Sequence, residues 1–275
     1  MKKSSLFMRC LRVAVIFLLI VFSLIPIFWV VSTSLKADAE IYHFSLWSSN
    51  PNLENYKKVF ASSNMVRYFF NTVIISTCTT AISMCVATLG AYGFSRYSFP
   101  GCKSVLAFIM FTRVLPRVTI IIPFYVTLRQ LRMLNTYQGI ILVYLMVVMP
   151  VTIWMLKGFF DDIPHEIEEA AIIDGCSPLR MLFTVVLPIC LPALAAVGMY
   201  AFILAWNEFL FALIMTNDKS TRPISVGLAF YIDDVGVHWG ELMAASTLMS
   251  IPAVIVFSLS QNMLVKGLSA GAVKG

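Results

Sequence analysis

Two groups of residues place charge where it is either concentrated or costly, and they limit the chemistry open to this chain. The first is the segment 161–188, DDIPHEIEEAAIIDGCSPLRMLFTVVLP, where Asp161, Asp162, Glu166, Glu168 and Glu169 crowd together and Asp174 follows. The second lies inside apolar runs: Arg113 and Arg117, four apart with Pro116 between them, and Asn207-Glu208 between Trp206 and Phe209. Neither group reads as a catalytic centre. His43, His165 and His238 fall in separate polar segments, with no helical metal-ligand spacing between them. The phosphate-binding pattern GxxxxGK(S/T) does not occur, so the chain has no ATPase site of that kind. Asp233 and Asp234 are adjacent, point apart, and suit a solvated turn. The expectation is a chain without catalytic residues, metal or cofactor of its own, whose charges serve docking and passage.

The acidic segment has the grammar of helix, turn, helix. Asp161 or Asp162 is placed to cap a helix whose first turn holds Pro164, where a missing N–H costs nothing. Glu166, Glu168 and Glu169 suit the positive end of the helix dipole. Ile167, Ala170, Ala171 and Asp174 share one face by three-and-four spacing. Gly175 supplies the left-handed residue that stops the helix, and Ser177-Pro178 opens the next one. A helix of about ten residues, roughly 15 Å long, fits a groove on another protein. A DNA-binding helix-turn-helix has similar offsets, yet its second helix would offer only Arg180, whereas phosphate neutralisation needs several cations. A surface loop without a partner is the blander alternative.

The surrounding elements must hold these groups in lipid. The 275 residues are 59% hydrophobic and 12% charged, with mean hydropathy +0.85. Soluble domains carry about 25% charged residues, so half that value implies a membrane solvent. The net charge of +6 suits anchoring at lipid headgroups rather than nucleic acid. Cys10, Cys78, Cys85, Cys102, Cys176 and Cys190 form no Cys-x-x-Cys pair and read as reduced thiols.

Six spans are expected, at about 13–31, 68–94, 104–128, 138–156, 191–214 and 241–264. The first is too long for the roughly 7–15-residue apolar core of a signal peptide and long enough to cross about 30 Å of hydrocarbon. Lys2, Lys3, Arg9 and Arg12 ahead of it place residues 1–12 inside. Residues 13–264 then form one membrane domain, with 161–188 and the tail 265–275 also inside. Between the first two spans lies a polar outer segment, with a short interfacial helix turning Tyr56, Val59 and Phe60 to its apolar side.

A central ionised residue costs roughly 2.5–3.5 kcal/mol on insertion scales, against about 0.3–0.6 gained per Leu, Ile or Phe. Asn207 and Glu208 therefore either line a transport path or its gate, or make interhelical hydrogen bonds that fix packing. The same two readings hold for Arg113 and Arg117, where a structural place at the interface or against a partner subunit is the simpler. Pro116 and Pro123 either break the third span or kink it.

One resemblance covers most of these features. Glu169-Ala170-Ala171, three residues, Gly175, nine residues, then Val185-Val186-Leu187-Pro188 resembles the EAA signature of permease subunits of bacterial and archaeal ABC importers. Val185 in place of Ile is the one departure. Trp206-Asn207-Glu208, Ala244-Ala245, Pro252 and the ending 267–275 are similar to a subgroup, the smaller (MalG-like) permease of carbohydrate importers, and the likeness runs from Leu11 onward. The resemblance implies an all-α, six-helix type I ABC importer permease fold in the cytoplasmic (inner) membrane. It implies a second permease as heterodimer partner, two ATP-binding-cassette ATPase subunits that bind the ATP, and an extracytoplasmic solute-binding protein. Coupling would fall to Glu169, Ala170, Ala171, Asp174, Gly175, Leu187 and Pro188. The implied cargo is a sugar. Glycerol 3-phosphate or another polyol is the alternative, and a non-transporting scaffold or sensor is the distant one.

Overall fold

The computed structural model describes residues 6–43, 45–234 and 236–272. In chain order, α1 (Leu6–Ser34), α2 (Asp38–Ile41) and α3 (Glu54–Ala61) precede the long α4 (Ser63–Arg96). Then come α5 (Cys102–Phe111), α6 (Arg117–Gln130), α7 (Tyr137–Asp161) and α8 (His165–Ile173). α9 (Pro178–Met181), a π-helical turn (Leu182–Val186) and α10 (Leu187–Ile189) lead into α11 (Leu191–Trp206). α12 (Leu210–Met215), α13 (Ile224–Ala229), the hairpin β1 (Ile232–Asp233) and β2 (Gly236–Val237), and α14 (Trp239–Ala272) complete the chain. The hairpin is antiparallel, with Ile232 opposite Val237. The protein is an all-α, multi-pass membrane chain, as the composition requires.

Among the described residues, four helices are long and apolar enough to cross a bilayer unbroken: Met8–Ser34, Asn64–Arg96, Tyr137–Asp161 and Trp239–Gln261. Each is longer than its apolar run, because helix growth past a nucleus costs little. The expected third span is split. α5 ends at Phe111 and α6 restarts at Arg117, since Pro116, at φ −57 and ψ 123, lacks an N–H and disfavours helix at Leu115. Pro123 is carried within α6. The expected fifth span is also interrupted. It enters through an 84° bend between Pro178–Ile189 and Leu191–Trp206, and it breaks again at residues 207–209. Lys2, Lys3 and the last residues, 273–275, lie outside the described residues.

The chain forms two compact units. In one, Met1–Val66 with Leu228–Ile251, the polar segment after α1 is a knot of buried hydrogen bonds. Lys36, 1% exposed, donates to the Ser45 carbonyl at 2.6 Å and lies 4.9 Å from the Trp29 ring centroid. Asn55 Nδ2 donates to the carbonyls of Ser34 and Lys36 at 3.0 and 2.8 Å. α3 therefore buries Asn55 and Val59, while Phe60 turns outward against the expected face. The polar demand of the Ser34 and Lys36 carbonyls fixes the helix's rotation.

In the other unit, Arg67–Gly227 with Pro252–Gly275, α7 is the central helix and packs along α11. Over half of α7's apolar window is buried, 56%. One apolar cluster gathers Val143, Tyr144, Phe211 and Met215; a second gathers Tyr92, Leu156, Phe160, Leu182 and Val186. α4 meets its neighbours through small polar residues, including Thr72, Ser76 and Ser83, whose hydroxyls bond to its own carbonyls or to Thr152 Oγ1. Small residues let helix backbones approach where lipid gives no hydrophobic drive to association.

Candidate functional site

The acidic segment begins one step later than its carboxylates suggest. α7 runs through Asp161 and ends on Asp162, so neither residue caps α8. Asp161 is taken by Ser95 Oγ, which donates to it at 2.6 Å, and by an ion pair with Lys157 one turn earlier. Pro164 keeps Ile163 out of helical geometry and itself stands at the helix start. α8 then follows with Glu166 and Glu168 in its first turn.

The end of α8 is as expected. Gly175 takes φ +81; its N–H donates to Ile172 O at 2.9 Å, and the Cys176 N–H donates to Ala171 O at 3.0 Å. That is the Schellman pairing, which a left-handed glycine allows without steric cost. Ser177 then precedes Pro178 at the first position of α9.

The buried face of α8 differs from the expected one. Ala171 is buried and Ile167 half-buried, but Ala170 and Asp174 face outward and Glu168 faces inward, 5% exposed. Glu168 Oε1 accepts from Arg96 Nε at 2.6 Å, and Oε2 accepts from the Tyr92 hydroxyl at 2.9 Å. Arg96 Nη2 also donates to Ile163 O at 3.2 Å, and Nη1 to Ser95 Oγ at 2.9 Å. Both side chains of the pair are almost dry, at 6% and 7% exposure. Sequence reading missed this pair because a carboxylate in an acidic run looks solvated, and its partner stands 72 residues earlier. The opposite side of α8 presents Glu169, Ala170, Ile172 and Ile173, the last 86% exposed, with Leu179 65% exposed beyond the turn. Beyond α9, Leu187 is half-buried and Pro188 exposed, at the bend into α11.

The second group converges on Glu208. Asn207 ends α11, and its Nδ2 folds back to Ile203 O at 2.9 Å, so it is a local cap rather than a bridge between helices. Glu208 occupies the gap. Its Oε1 accepts the Phe211 N–H at 3.1 Å, restarting the helix as α12, and its Oε2 pairs with Arg117 Nη1 at 3.0 Å. Its carbonyl accepts from Tyr144 OH at 3.0 Å and Ser225 Oγ at 2.8 Å. The carboxylate side chain is 3% exposed, and Arg117 is 47% exposed. The structure thus joins Arg117 to Glu208 but leaves Asn207 apart from both. Arg113 and Arg117 line one pocket of about 240 Å³ with Phe124, Met146 and Phe211. Among the described residues, no three His, Cys, Asp or Glu are grouped to hold a metal.

The chain is thus a multi-pass helical membrane protein with a capped acidic hairpin and an ion pair that joins two helix breaks. Residues 84–270 match the family model of binding-protein-dependent transport system inner membrane components, and the chain belongs to that family. It is 33% identical over 279 residues to the trehalose/maltose transport system permease protein MalG of Thermococcus litoralis, covering 99% of each chain. It is also 33% identical to the sulfoquinovosyl glycerol transport system permease protein SmoH of Agrobacterium fabrum, covering 94% of this chain and 91% of that one. Its fold is similar to a chain of a bacterial ABC transporter for the acidic polysaccharide alginate, with TM-score 0.82, 23% identity and coverage of 96% and 100%.

Proposed function

We propose that this chain is a permease of a carbohydrate ABC importer that forms the sugar path with a second, non-identical permease. Separate ATPase subunits drive it, and a solute-binding protein delivers the sugar from outside. The observation that carries the reading is α8: a capped short helix, anchored on one face by Ile163, Ile167, Glu168 and Ala171, leaves Glu169, Ala170, Ile172 and Ile173 free for a partner. A rigid helix transmits a displacement that a floppy loop would absorb. Glu169, Ala170, Ala171, Asp174, Gly175, Leu187 and Pro188 belong to this coupling loop, with Gly175 and Ala171 setting its shape. Full-length likeness to permeases of sugar transport systems supports the cargo class.

The proposed topology has six crossings, counting α5 with α6 and α11 with α12 as interrupted ones, with both ends and α8 on the cytoplasmic side. The interruptions suit a path, since non-helical backbone at membrane depth is tolerated where it lines a cavity or is buried in protein. Arg113, Arg117 and Glu208 stand at these breaks, with Asn207 beside them, and form the proposed path or its gate.

Uptake of a panel of labelled sugars, in a strain lacking this chain and in the same strain restored, tests the reading. Uptake of at least one sugar that depends on the chain is expected; equal uptake of the whole panel in both strains would overturn it. An anionic cargo such as glycerol 3-phosphate is the second reading, favoured by two arginines on one pocket of which only Arg117 has a carboxylate partner among the described residues. Competition of sugar uptake by a phosphorylated solute separates the two.

A further inference from the structure

The buried Arg96–Glu168–Tyr92 cluster ties α8 to the last turns of α4, and α4 carries that tie across the molecule. α4 has no proline and no break, so Asn71 and Arg96 are separated by about 38 Å of continuous helix. At the Asn71 end the helix is clamped as firmly as at the Arg96 end. Asn71 Nδ2 donates to the carbonyls of Ser220 and Arg222 at 3.0 and 2.8 Å, and its Oδ1 accepts from Tyr137 OH at 2.6 Å. Thr72 Oγ1 accepts the Ile224 N–H at 2.7 Å. The next residue, Ser225, is the donor to the Glu208 carbonyl. An unbroken rod thus runs from the proposed coupling helix to the loop that holds the charged break.

Building on the importer reading, we infer that Arg96, Glu168 and Tyr92 form a latch through which displacement of α8 passes into α4, and through the Asn71–Thr72 clamp to the Glu208 junction. The latch residues are positioning residues, because they are buried and act through the two helices they join. Their type fits the task. A buried guanidinium–carboxylate pair has directional bonds and no water to exchange with, so it holds one geometry under load. An apolar contact at the same place would slide. The other anchors of α8, Ile163, Ile167 and Ala171, are contacts of that sliding kind.

The test uses the complete complex in lipid nanodiscs, with spin labels carried on ketone-bearing residues at positions 89 and 165, both exposed and both away from the face of α8 proposed to dock. Pulsed-resonance distances between α4 and α8 are read without nucleotide and with trapped ATP. In the parent protein the distribution is expected to be narrow and the same in both states. Glu168→Gln, which keeps the shape but removes the charge, is expected to broaden it and to let ATP shift it, while ATP hydrolysis stays within about fivefold of the parent. If Glu168→Gln fails to assemble, Tyr92→Phe, which removes one of the two bonds to the carboxylate, is read the same way. A parent distance that changes with ATP, or variant distances as narrow and fixed as the parent's, would overturn the latch. Purification without any ATP-hydrolysing subunit would instead sink the importer reading, and the width of the nucleotide-free distribution would still decide the latch.

Discussion

Glu208 shows what keeps a carboxylate inside an apolar bundle. Its side chain is nearly dry, yet both oxygens are used: one by the Phe211 N–H, the other by Arg117. Removing either partner has a different effect. Arg117→Met strands a buried charge, a penalty that would be several kcal/mol in a sealed site and falls to about 1–2 kcal/mol here because Arg117 is half open to its surroundings. Glu208→Gln removes the charge and can still accept from Phe211, so it should cost less. The expected order is a drop in detergent melting temperature of roughly 2–8 °C for Arg117→Met and a smaller drop for Glu208→Gln. The double variant should then melt above the temperature obtained by adding the two single losses. Strict additivity would show that the two residues do not act as a pair.

At the scale of elements, glycine positions separate backbone need from simple space. Gly175 holds φ +81, where any side chain is strained by about 1–2 kcal/mol, although nothing crowds a Cβ there. Gly175→Ala is therefore expected to loosen the α8–α9 turn and lower sugar uptake per ATP hydrolysed, with membrane levels kept. Gly175→Pro should do more, since it also loses the N–H that bonds Ile172 O. Uptake per ATP equal to the parent in both variants would remove the turn from the coupling path. Gly139 is the opposite case. A Cβ there collides with the backbone carbonyl of Met133, which cannot swing away. Gly139→Ala should destabilise by about 1–3 kcal/mol, whereas Gly158→Ala, with open space around it, should be neutral or slightly stabilising. Equal melting of the two would refute the close approach at Gly139.

These cases also explain what could be read in advance. The stop at Gly175, the start at Ser177-Pro178 and the break at Pro116 are written in local backbone chemistry, so residue type announces them. The inward turn of Glu168, the capture of Asp161 by Ser95, and the π-helical turn at Leu182–Val186 depend on neighbours far along the chain or on packing, which no short window contains. Asn55 on the buried side of α3 is the same lesson, because its partners are carbonyls about twenty positions away.

For the whole molecule, the question is which surfaces meet water, lipid or protein, and exposed apolar area alone does not answer it. None of α1's apolar window is buried within the chain, and Phe17 and Phe22 are 67% and 73% exposed. Ile173, on the proposed coupling helix, is more exposed still. The two differ in company. Past Arg12, α1 is apolar on all sides, which suits hydrocarbon, whereas Ile173 sits among Glu166, Glu169 and Asp174, which hydrocarbon would exclude. Charge therefore assigns Ile173 to the aqueous side, where the proposed groove of a partner would cover it, and α1 to lipid or a partner's membrane face. If the first span leaves the cytoplasm at Arg12, the segment holding Leu53 is outside and α8 is inside. With the six native cysteines replaced by serine, a membrane-impermeant thiol reagent added to intact cells should modify Leu53→Cys and spare Ile173→Cys. After the membrane is opened, Ile173→Cys should react freely in the isolated permease and more slowly once the ATPase subunits are bound. Reaction of Ile173→Cys from outside would reverse the topology, and with it the route by which ATP could do work on this chain.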